Sequence, residues 1–88
     1  MVLLISYDLR RPGQNYTALY DAIRSYGLWW HHLESTWIIE TARSPGDVAA
    51  HLRNFIDSND GLLVVQLVRN SNGWLPQQAW DWLNARNF

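Results

Sequence analysis

The order of signals along these 88 residues, strand, helix, strand, strand, helix, strand and a closing helix, predicts an α+β fold: a ferredoxin-like βαββαβ unit with an extra C-terminal helix. Two observations carry that prediction. An almost unbroken apolar run, Met1 to Ile5, reads as a central strand, because a strand covered on both faces has no need of polar alternation. Two amphipathic stripes then flank a pair of β-branched and aromatic segments, which places a strand pair between two helices. In this topology the first and third strands are central, both helices cover one face of the sheet, and the other face is left open.

The first strand ends in Ser6-Tyr7-Asp8, just before the turn signal Arg10-Arg11-Pro12-Gly13. Tyr16, Leu19, Tyr20 and Ile23 recur at spacings of three and four, a helix entered through Asn15 and left at Gly27. Leu28 to Glu34 and Thr36 to Thr41 read as two strands turning near Glu34-Ser35. Ser44-Pro45-Gly46-Asp47 is a helix start, with Ser as cap, Pro in the first turn and an acid at the third position. Val48, Leu52, Phe55 and Ile56 form its buried stripe; Asn59-Asp60-Gly61 then punctuates before the last strand, Leu62 to Val68. Residues 1–70 thus make one domain. Residues 71–88 form a Trp-rich extension, a short helix from Gln77 to Arg86, that packs either on the same domain or on a partner through Trp74, Trp80 and Trp82.

Composition narrows the function classes. A chain this short buries only about 60% of the surface its unfolded form exposes, so six Trp supply burial that length cannot. Cys is absent, which removes disulfides, thiolate metal sites and a Cys nucleophile. The start lacks the basic and apolar pattern of a secretory leader, and no run reaches the roughly 20 apolar residues of a membrane span. The expectation is a cytoplasmic protein with no membrane partner. Seven Arg against eight acids leave a net charge of −1, which argues mildly against strong non-specific nucleic-acid binding, where phosphate neutralisation supplies most of the affinity.

Asp8 is the leading candidate for chemistry. A carboxylate at the carboxyl end of a buried strand could join a Mg²⁺ shell, and two copies converging about a two-fold axis would supply the two acids such an ion commonly takes. Its alternative role is to cap the following turn or pair with Arg10 or Arg11. By strand alternation Ser6 shares Asp8's side, and Tyr7 faces the opposite, open side of the sheet unless it is simply a core aromatic. Arg10 and Arg11 are candidate phosphate contacts, and Ser35 a candidate hydroxyl donor to phosphate, with backbone satisfaction in the turn as its plainer role. Adjacent His31 and His32 point to opposite faces of a strand and cannot chelate one metal; His51 is expected on a solvated helix face.

The strand ending Ile5-Ser6-Tyr7-Asp8-Leu9, a helix, and the segment Leu33-Glu34-Ser35-Thr36-Trp37-Ile38-Ile39-Glu40 resemble the small CRISPR-associated protein that is second in that system's naming, and its VapD toxin-like relatives. The resemblance spans roughly residues 1 to 68. It implies a ferredoxin-like homodimer with paired acids, matching Asp8, at the subunit interface and able to hold Mg²⁺. It further implies either metal-dependent endonuclease activity on RNA or DNA or a scaffold role in antiviral defence that does not need the acid. Ser35 matches that family's Ser, and Trp37 stands where the family has Phe. Two departures stand out: the first helix carries Asp21 and only Arg24 where the family has early basic residues, and the ending Gly73-Trp74-Leu75-Pro76 to Leu83 replaces its usual final strand. The competing expectation is a non-catalytic dimeric interaction module, or a subunit of a toxin–antitoxin, CRISPR or other defence assembly, docking through the Trp-rich tail.

Overall fold

A computed structural model describes residues 1–11 and 15–88. Pro12 and Gly13 of the first turn signal lie outside the described residues. The chain forms β1 (Val2–Asp8), α1 (Thr17–Arg24), β2 (Leu28–Leu33), β3 (Thr36–Glu40), α2 (Pro45–Leu52), a 3₁₀ turn (Arg53–Phe55), β4 (Gly61–Gln66) and α3 (Gln77–Asn84). The four strands make one sheet in the order β2-β3-β1-β4, with every neighbouring pair antiparallel. β1 and β3 are central, as their apolar content requires. The architecture is a small α+β fold with a four-stranded antiparallel sheet and three helices.

Local chemistry sets the element ends. The Asn15 side chain accepts from the Thr17 backbone N–H at 2.9 Å and so starts α1, while Gly27, at φ +90°, takes the left-handed conformation that ends it. Ser44 Oγ accepts from the Asp47 N–H at 3.1 Å, and Pro45 opens α2, where its missing N–H leaves nothing unpaired. The β2–β3 turn falls at Glu34-Ser35, and the pairing of β2 with β3 shifts register between Trp30 and Leu33.

Strand alternation divides the apolar residues into two layers. Leu3, Ile5 and Tyr7 of β1, with Trp37 and Ile39 of β3, face α1 and α2 and meet Leu19, Ile23, Val48 and Leu52. On the other face Val2, Trp30 and Ile38 meet Ala79 and Leu83 of α3, and Trp30 Nε1 donates to the Ala79 carbonyl at 3.1 Å. The Trp-rich extension therefore folds back on its own domain and covers part of the open face. Arg86 anchors it: the guanidinium pairs with Glu40 at 3.2 Å and lies 4.5 Å from the centre of the Trp82 ring. Among the described residues no helix is long and apolar enough to cross a membrane.

Of the two places open to Tyr7 the structure shows the core one: it is buried in the layer beneath α1, where it follows Leu3 and Ile5 inward, and does not face the open side as a nucleic-acid contact. One placement differs from that expected. His51 is half-buried rather than solvated, its Nδ1 2.8 Å from the Tyr26 hydroxyl. The neighbours His31 and His32 do diverge as expected: His31 stacks on Trp37 in one layer, and His32 sits edge-on to Trp30 in the other.

Candidate functional site

The carboxyl end of β1 gathers most of the residues expected to carry chemistry. Ser6 lies on the α3 side of the sheet, in register with Thr36 of β3 and Leu63 of β4, and Asp8 continues the same side to the strand's last position, opposite Gly61. The β2–β3 turn reaches this end too, where the Ser35 carbonyl accepts from the Tyr7 N–H at 3.2 Å. Ser6, Asp8, Arg10, Arg11 and Ser35 thus share one end of the sheet. Tyr7 lies beneath them, its hydroxyl accepting from Trp37 Nε1 at 2.9 Å, and burial raises its pKa.

The charges at this end are largely paired within the chain. Arg10 Nε and Nη2 both lie 2.9 Å from Asp8 Oδ2, with the two side chains about two-thirds exposed. Arg11 Nη1 is 2.5 Å from Asp57 Oδ2, so this cation is committed to a carboxylate rather than left free for phosphate. Asp60, which the sequence presents only as turn punctuation, is the hub of the loop. It accepts from the Arg10 N–H and the Asp57 N–H, each at 2.8 Å, and from the Tyr16 hydroxyl at 2.9 Å. The Arg10 N–H is the main cause that holds the Asp60 carboxyl below the usual carboxylate range, and the Arg11 guanidinium does the same for Asp57. These bonds tie the segment after β1 to the segment before β4. The one available signal was the spacing of the two acids, Asp57 and Asp60, across a turn sequence.

This donor set does not fit a Mg²⁺ site within a single chain. Asp8 offers one carboxylate, already bonded to a guanidinium, and among the described residues no group of three or more His, Asp or Glu converges.

The second candidate lies on the α3 side. Beside α3 the sheet leaves a groove of about 360 Å³, floored by Leu4, Trp30 and Ile38 and walled by Leu67, Leu75 and Leu83. None of the residues lining it is charged. Of its lining, Leu33, Val68 and Phe88 are exposed, and Trp74, in the segment that lines it, is 99% exposed. A bare indole beside an uncharged groove is what a docking surface requires, since interface cores are poor in charge and rich in aromatics.

No family model matches this chain. The geometry of the two regions therefore carries the functional reading.

Proposed function

We propose that this chain is a non-catalytic interaction module on a ferredoxin-like scaffold, docking through the α3 side of its sheet. The observation that carries this reading is the uncharged groove beside the wholly exposed Trp74. The ferredoxin-like reading is supported by the strand order: from the opposite edge it is β4-β1-β3-β2, in which β1-α1-β2 and β3-α2-β4 interleave as two crossovers. The same order suits kinship with the second CRISPR-associated protein and VapD, and with a cytoplasmic defence or toxin–antitoxin assembly as the working context.

A second reading, a Mg²⁺-dependent endonuclease acting on RNA or DNA, is favoured by the gathering of Ser6, Asp8, Arg10 and Ser35 at one sheet end. It needs a second copy to bring another Asp8 carboxylate to the ion. The Arg10–Asp8 pair would not prevent this, because an exposed ion pair contributes only about 0–1 kcal/mol. Assaying the purified chain and Asp8→Ala on single-stranded RNA and duplex DNA with Mg²⁺ separates the two readings. The module reading expects no cleavage by either protein. Cleavage by the wild type that Asp8→Ala abolishes would overturn it in favour of the nuclease.

A further inference from the structure

We propose that the polar cavity where the end of α1 meets α2 binds a free apolar α-amino acid, its carboxylate on Arg43 and its ammonium on Asp47. The cavity holds about 470 Å³, inside the range of small-molecule sites, and is lined by Ser25, Tyr26, Arg43, Asp47 and His51. It shares no residue with the groove beside α3, so it stands apart from the docking reading.

The charges select the ligand. Arg43 and Asp47 border one cavity with opposite signs, yet among the described residues neither has an ion-pair partner, each other included. The fold keeps them apart. Ser44, the cap of α2, is extended at φ −74° and ψ 160°, so Arg43 leaves the chain before the helix begins while Asp47 stands in its first turn. Both backbones are fixed: the Arg43 N–H donates to Thr41 Oγ and the Asp47 N–H to Ser44 Oγ, each at 3.1 Å. A lone anion on Arg43 would meet the Asp47 carboxylate, and a lone cation on Asp47 would meet the guanidinium. A ligand carrying both charges satisfies both groups, and an α-amino acid carries them on adjacent carbons.

Tyr26 and His51 supply the remaining wall. The Tyr26 hydroxyl lies 2.8 Å from His51 Nδ1, and the rings of Tyr26 and Phe55 meet the imidazole edge-on at 5.6 and 5.5 Å. The imidazole is held from two sides, which leaves a fixed ring surface for an apolar side chain. Asp47 and His51 are four residues apart on α2 and share one helix face, so the ammonium contact and the aromatic wall are presented together. Burial raises the Tyr26 pKa, while Arg43 and Asp47 act on the phenol in opposite senses, which places both charges about the same hydroxyl.

The test is titration of the full chain with L-alanine, L-leucine and L-phenylalanine, followed by the NMR shifts of the Tyr26 and His51 rings. N-acetyl-L-phenylalanine, which keeps only the anion, and L-phenylalaninamide, which keeps only the cation, are titrated alongside. Arg43 and Asp47 are exposed, so Arg43→Gln and Asp47→Asn should both fold, which circular dichroism checks. The expected result is saturable binding of L-leucine or L-phenylalanine, weaker binding of L-alanine, and a loss of about tenfold or more for either one-charge analogue. In Arg43→Gln, L-phenylalanine should fall to the level of its amide; in Asp47→Asn, to that of its N-acetyl form. No saturable shift with any of the three amino acids would overturn the site. An analogue that binds the wild type as tightly as L-phenylalanine would overturn the dipolar ligand in favour of a simple anion or cation. Indifference to both substitutions, or shifts centred on Leu67 and Leu75 of the groove beside α3, would overturn the location. None of these outcomes bears on docking through the α3 side, whose own test is separate.

Discussion

Tyr7 illustrates how one position can carry a layer. Its hydroxyl is the acceptor for the indole N–H of Trp37, a side chain with no exposed surface, and its ring lies 6.1 Å from that of Tyr20. Tyr7→Phe keeps the ring but leaves the Trp37 N–H without its partner, and a buried donor so orphaned costs about 1–3 kcal/mol. Urea unfolding should show that loss as a lower midpoint with an unchanged slope. Asp57 and Asp60 make a different prediction, about pH. Both carboxyls have folded-state pKa values depressed below the ordinary value, so their contribution to stability is fully present above that ordinary value, about 3.9. It fades as pH falls below that value and through the depressed folded-state values. Thermal melts from neutral to strongly acidic pH should show the steepest drop there, and Asp60→Asn should flatten it. An acid limb unchanged in Asp60→Asn would show that the loop bonds do not stabilise the fold.

At the scale of elements, the helices and strands were legible because their punctuation is chemical. Ser44-Pro45 and Gly27 mark ends that the backbone needs, and the apolar runs of β1 and β4 were recognisable by length and β-branching. Alternation through Asp8 was legible, but the apolar run of β1 did not say which of its two faces lies beneath α1 and α2, so the inward position of Tyr7 stayed one of two alternatives. The Asp60 hub was illegible for another reason: its three partners come from segments up to 50 residues away, a juxtaposition no local pattern encodes. The tail could be read as an amphipathic helix but not assigned to its own sheet, since the same apolar stripe would serve a neighbour equally well. Its packing yields a prediction. Ending the chain after Asn72 removes Ala79 and Leu83 and bares Val2, Trp30 and Ile38, so the truncated chain should lose cooperative unfolding and bind a hydrophobic dye. A truncated chain that melts as sharply as the full one would show that α3 is an appendage rather than part of the core.

Over the whole molecule, the sheet carries a layer on each face, and the two differ in completeness. The layer under α1 and α2 is closed: Leu3, Ile5, Leu19, Ile23, Trp37, Ile39, Val48 and Leu52 in it have no exposed surface. The layer under α3 is only partly covered, and the exposed Leu33, Val68 and Phe88 line its groove. The candidate chemistry at the carboxyl end of β1 was legible as residue types and only in part as an electrostatic state. The Arg10–Asp8 pair is one of the two roles that sequence proximity offered Asp8, whereas nothing local pairs Arg11 with Asp57, 46 residues further on.

Glu40 is where the chain's two extremities meet. Its backbone pairs with Val2, and its carboxylate accepts from Arg86 Nη1 at 3.2 Å and from the Asn87 N–H at 3.4 Å. Met1 is held next door, its amine 2.7 Å from the Thr41 carbonyl. One side chain thereby clasps the segment that follows α3 to the start of β1, so that fraying at either place loosens the other.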